Sequence, residues 1–240
     1  MPLPKINTPI YELELPSSGK KIKYRPFLVR EEKILLMALE SEDMKQITES
    51  VVSILSDCIS SRGVKVQDLA TFDIEYLFLN VRSRSVGESV EINITCPDDG
   101  TTSVPAEIDL DDISVKRDKN HKNIIKLDDK LSMKLKYPSL DQFIDTNFET
   151  NGDKSEIDKS MSMVISCIDI IYDNEESWDA SDCTKKELEE FLEQLNSRQF
   201  KEIETFFTTM PKLSHTVKVR NPNTKVESEV VLEGLASFFS

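Results

Sequence analysis

Apolar positions in the middle of the chain keep one period up to a glycine and another after it. Leu69, Phe72, Tyr76 and Leu79 recur at helical spacing. Asp68 and Thr71 are candidate N-caps for this helix, and Arg82 and Arg84 suit the dipole at its C-terminal end. Gly87 supplies a stop. From Ser89 the period becomes two: Val90, Ile92 and Ile94 alternate with Ser89, Glu91, Asn93 and Thr95, the pattern of a half-buried strand. Cys96-Pro97-Asp98-Asp99-Gly100 is a turn sequence, and Val104 to Leu110 returns as the partner strand. A helix feeding a β-hairpin is the predicted unit, and the chain is read as building it twice.

Before that unit, Tyr11–Leu15 and Lys21–Tyr24 form a predicted hairpin around Pro16-Ser17-Ser18-Gly19. A helix starts near Val29, with Glu31 and Glu32 in its first turn, and Ile34, Leu35, Leu36, Met37 and Leu39 make it nearly apolar all round. Such a helix is expected to be deeply buried. A second helix covers about Asp43 to Ile59. Residues 114–123, SVKRDKNHKN, lack apolar periodicity and read as a linker, with His121 a solvated residue in it.

After the linker the order restarts. Ile124–Leu127 and Leu131–Tyr137 flank Asp128-Asp129-Lys130 as a hairpin, and Ser139 to Gln142 is a capping box for a helix carrying Phe143 and Ile144. A longer helix carries Ile157, Met161, Val164, Ile165, Ile168 and Ile171, and the polar span Asp173–Asp182 loops out around Trp178. Thr184 to Glu187 caps a helix bearing Leu188, Phe191, Leu192 and Leu195; a further helix ends at Pro211. Val217 and Val219, the turn Asn221-Pro222-Asn223-Thr224 and Val226–Leu232 form the last hairpin. Laid side by side, 9–113 and 124–239 agree in element order, and Ile22-Lys23-Tyr24 echoes Leu135-Lys136-Tyr137. The predicted fold class is therefore α+β. It comprises two similar lobes from an internal duplication, 1–113 and 124–240, joined by 114–123, each with β-hairpins flanking a small helical bundle.

Composition narrows the function. A net charge of −14 and a pI near 4.7 argue against nucleic acid as the main partner and disfavour an anionic membrane surface. Cys58, Cys96, Cys167 and Cys183 form no CxxC pair, and the chain opens MPLPKINTP without an apolar leader, so free thiols in a reducing cytoplasm are expected. No apolar run approaches the ~20 residues that span a bilayer.

Chemistry finds little purchase. Cys-Pro-x-x-Gly at 96–100 has the shape of half a zinc knuckle, but Asp99 stands where a second thiol is needed, and the turn at 221–224 offers no ligand. The only histidines are His121 and His215, neither in a recognisable catalytic setting. No P-loop, G-x-S-x-G or G-x-G-x-x-G occurs. Asp109, Asp111 and Asp112 lack the glycine and distal glutamate of a calcium loop. No catalytic residue, metal, cofactor or small-molecule substrate is predicted. Contacts with other proteins have more support. Trp178 sits alone in an acidic loop, and Leu235, Phe238 and Phe239 close the chain; these four are the candidate partner-binding residues.

Tyr24-Arg25-Pro26-Phe27-Leu28-Val29, followed by Glu31-Glu32-Lys33 and Leu36-Met37-Ala38-Leu39-Glu40, resembles the opening of the T-even-type phage baseplate hub assembly family. The block at 72–88 with its Cys-Pro turn is similar to that family's most recognisable stretch. Gln199-Phe200, Phe206-Phe207, Met210-Pro211-Lys212-Leu213, Glu233-Gly234-Leu235 and Phe238-Phe239 extend the resemblance to the end. It implies a non-enzymatic protein of a contractile-tail baseplate hub, present in the virion and in the host cytoplasm during assembly, with other hub proteins as partners. Binding through apolar patches and exposed hairpin edges is expected, strand addition being one mode. Alternatives are an assembly chaperone absent from the mature virion, a cell-wall hydrolase acting through paired carboxylates or metal-bound water, and a zinc-stapled binding module.

Overall fold

A computed structural model describes residues 6–41, 43–140, 142, 155–234 and 237. The fold is α+β, with six helices and four small antiparallel sheets among these residues. Contacts divide the chain into two compact units: one holds 1–66, 72–116 and 212–240, the other 67–71 and 117–211. None of the described helices is long and apolar enough to cross a membrane.

In the first unit, β1 (Tyr11–Glu14) pairs with β2 (Lys21–Tyr24), Leu13 facing Ile22 in register. Helix α1 (Val29–Glu40) follows, then α2 (Met44–Cys58), whose N-cap Asp43 accepts from the Lys45 and Gln46 amides. The Arg25 amide donates to Cys58 O and the Ser60 amide to Lys23 O, which binds the end of α2 to β2. Helix α3 (Thr71–Val86) ends at Gly87, whose φ of +140° no side chain adopts easily. It buries Phe72, Leu77, Phe78 and Leu79.

Strands β3 (Ser89–Thr95) and β4 (Ser103–Asp109) form a regular hairpin. β5 (Ser114–Lys116) pairs with the start of β10 (Lys212–Arg220), which pairs in turn with β11 (Glu227–Glu233). Ile92, Ile94, Ile108, Leu110, Ile113, Leu213 and Val219 share one core with Leu79. The sequence pattern assigns 114–123 to a linker and 212–233 to the second lobe. Here 114–116 is a strand, and its ladder to 212–214 places the last hairpin in the first unit. A pairing across almost 100 residues leaves no local trace in a sequence.

In the second unit, β6 (Ile124–Lys126), β7 (Ser132–Leu135), β8 (Ile168–Tyr172) and β9 (Ser177–Asp179) form a sheet in that order. Helices α4 (Glu156–Cys167), α5 (Lys185–Glu193) and α6 (Ser197–Thr209) complete it, capped by Ser155, Thr184 and Asn196. Ile125, Met133, Val164, Ile168, Leu188, Ile203 and Phe206 form their common core. The helix expected to run through Ile171 stops at Cys167, and its last apolar residues become β8, because Ile-Asp-Ile-Ile-Tyr favours a strand once β7 and β9 flank it. β9 replaces part of the expected loop. The duplication is not confirmed, since β8 and β9 stand between the second hairpin and the last helices. Ser139 and Gln142 bond reciprocally, as a capping box should, while Phe143 and Ile144 lie outside the described residues.

Candidate interaction surfaces

Helix α1 reverses the sequence expectation most plainly. Of its apolar residues only Ala38 is buried, whereas Val29, Met37 and Leu36 are 81%, 61% and 55% exposed. Leu28, Ile34 and Leu39 are exposed as well. The helix packs by the stripe containing Glu31 and Ala38, so its other faces turn outward. An all-apolar pattern does not fix which faces of a helix its own chain covers.

What fixes α1 in this orientation is Glu31. The carboxylate is 1% exposed and accepts from Leu28 N at 2.7 Å, Arg25 Nη2 at 3.0 Å and Arg30 Nε at 2.6 Å. Burial pushes its pKa up, but the bonds from Arg25, Arg30 and the Leu28 amide outweigh that and bring it down from 4.5 to about 2. Leu28 satisfies its own amide through Glu31 while its side chain stays outside. Phe27 packs inward on Phe78, with ring centroids 5.6 Å apart, and its amide donates to Ser85 Oγ at 2.7 Å. The first turn of α1 is thereby held on both sides while Val29, Lys33, Leu36 and Glu40 line its outward stripe.

The turn suspected of metal ancestry does a different job. The β3–β4 turn (96–100) and the β10–β11 turn (221–225) share one geometry: the residue before proline accepts from the amide four positions on, Gly100 N to Cys96 O and Lys225 N to Asn221 O, both at 3.0 Å. Gly100 and Lys225 both have positive φ, +66° and +67°. The turns clasp each other. Buried Asn221 donates from Nδ2 to Asp98 and Asp99, at 3.1 and 2.9 Å, Asn223 Nδ2 donates to Thr102 Oγ1 at 3.0 Å, and the Thr224 hydroxyl donates to Asp98. The Thr224 and Asn221 donors hold Asp98 below the usual carboxylate range; Thr102, the Thr101 amide and Asn221 do the same for Asp99. Among the described residues no three metal-ligating side chains converge.

In the second unit a cavity of about 700 Å³ opens between β6 and α6. At one end Gln199 Nε2 donates to Leu127 O at 2.6 Å. At the other, His121 Nδ1 pairs with Thr209 Oγ1 at 3.0 Å and Nε2 with the Tyr137 hydroxyl at 3.1 Å. His121 also stacks on Tyr137 and packs on Phe206, so it is a packed residue and not the solvated one expected. Burial lowers its pKa.

Of the four sequence candidates, Trp178 lies on β9 opposite Ile171 and is 41% exposed. Leu235, Phe238 and Phe239 lie outside the described residues. Sequence reasoning missed α1 and the β6–α6 cleft. The signal for the first was present in the crowding of Ile34 to Leu39; nothing local signals the second.

The model of one protein family, the T4 bacteriophage base plate protein, matches residues 8–240. No curated protein and no solved structure matches the chain.

Proposed function

The chain belongs to the T4 bacteriophage base plate protein family, and on that premise we propose that it is a non-enzymatic, hub-associated subunit that joins other hub proteins through protein–protein contacts. As a member of that family it is a structural protein of a phage baseplate, located in the virion tail. The outward face of α1 supports a role in contacting hub proteins. Six large apolar side chains from Leu28 to Leu39 stand in water around a helix whose inward stripe is pinned by a buried ion pair. A monomer gains nothing from that arrangement, whereas a partner that covers it gains ~25 cal/mol per Å² of apolar surface. Trp178, and from the sequence Leu235, Phe238 and Phe239, are proposed as further contacts. Assembly begins in the host cytoplasm.

Quantitative mass spectrometry of purified infectious particles tests the proposal. A fixed copy number relative to other baseplate proteins is expected. Absence from particles, with abundance in infected lysate on a hub precursor, would make the chain an assembly chaperone instead.

A further inference from the structure

β6 is an outer strand: β7 covers one side, and no described strand pairs with the other. The Leu135 amide donates to Asn123 O and the Leu127 amide to Leu131 O, so residues 123, 125 and 127 direct their backbone groups at β7. By the alternation of an antiparallel ladder, Ile124 and Lys126 direct their N–H and C=O the other way. The cavity runs along this strand: residues 124–129 all line it, so it meets Ile124 and Lys126 as well as Ile125 and Leu127. The far wall is one face of α6, with Arg198, Glu202, Thr205 and Thr209 and the buried Phe206 behind them.

Two staples hold this wall at its ends, Gln199 to Leu127 O and Thr209 to His121, and between them the exposed Thr205 borders the cleft. The space, about 700 Å³, falls within the ~300–1,000 Å³ of clefts that take ligands. Edge strands in stable proteins are paired, covered or blunted. This one has an open cleft beside it.

We propose that the cleft between β6 and α6 takes an extended segment of another baseplate protein, which adds to the sheet by main-chain hydrogen bonds to Ile124 and Lys126. The proposal rests on the baseplate reading of the chain. The occupant is defined by the wall it meets: its backbone supplies the carbonyl and amide that the strand edge calls for, and the side chains it turns to α6 are small or polar, to fit Arg198, Glu202, Thr205 and Thr209. Pairing of this kind reads a backbone conformation more than a side chain. It also has a sharp chemical signature, because a proline at 124 deletes the outward N–H and leaves the ladder to β7 intact.

The test is a set of overlapping 12-residue peptides covering the baseplate proteins of the same phage, applied to the full-length chain. Neighbouring peptides sharing one core are expected to bind and to slow amide exchange at Ile124 and Lys126. Ile124→Pro should weaken binding about 10-fold, as loss of a main-chain bond does, and Thr205→Trp, which fills the cleft from the helix side, should abolish it. Ile124→Thr, which keeps the amide, should bind within twofold of the wild type. Binding unchanged in both Ile124→Pro and Thr205→Trp overturns strand addition. So does unaltered exchange at 124 and 126 when the chain sits in an assembled baseplate. A dimer of the chain alone that Ile124→Pro dissolves would overturn the choice of partner. Each of these leaves the baseplate reading standing; that reading fails separately, if the chain is missing from particles and from every hub precursor.

Discussion

Glu31 shows how much of the exposed apolar face of α1 depends on one carboxylate. In sequence it is an acidic residue in the first turn of a helix, where it would be assigned to the dipole and to solvent. In the structure it is buried, with Arg25 only 16% exposed beside it and Arg30 open to water at 68%. Arg25 is therefore the partner that matters, since an exposed ion pair contributes little. The folded pKa lies below the ordinary 4.5, so the stabilisation is complete above that pH and is lost as pH falls toward 2. Glu31→Gln should cost about 3 kcal/mol at neutral pH, because it strands a buried guanidinium. Urea titrations from pH 7 to pH 2 check both statements: the wild type should weaken through that acid window, and the variant should weaken less. No sequence pattern distinguishes this glutamate from Glu32 next to it, which is why the burial of α1 was misjudged.

Elements were legible where their signals are local. Capping by Thr184, the stop at Gly87 and the pairing of β3 with β4 as a hairpin are fixed by neighbouring residues, and all are found where the pattern places them. What local pattern cannot give is which element meets which. The two proline turns are far apart in sequence, and only the fold brings them together, with Asn221 between two carboxylates. Asn221→Ala should cost about 2–3 kcal/mol, since hydrogen bonds to charged groups are worth ~1.5–3 kcal/mol each and Asp98 and Asp99 would be left side by side without their shared donor. Faster amide exchange through 96–102 and 221–226, with 124–135 unchanged, is the expected readout. Uniform exchange across the chain would mean that the clasp carries no stability of its own.

At the scale of the molecule, the chain leaves its first unit at 116 and returns to it at 212. The α+β class and the family were readable from the residues; the return was not, because β5 is three residues long and its partner lies far along the chain. The apolar surface of α1 belongs to this scale too: under the proposed function, residues exposed in the free chain would form one half of an interface inside an assembly. Leu36→Asp with Met37→Glu removes that half without touching the Glu31 and Ala38 stripe, and should change folding stability by no more than about 0.5 kcal/mol per site. The direct measurement is competition for assembly. Phage would be grown with equal amounts of wild-type chain and the Leu36→Asp/Met37→Glu variant, and the two would be counted by peptide mass spectrometry in purified particles. The account predicts that the variant, folded and abundant in the lysate, is depleted at least about tenfold in particles, the factor that ~1.4 kcal/mol of lost contact produces. Equal incorporation of the two chains would contradict it.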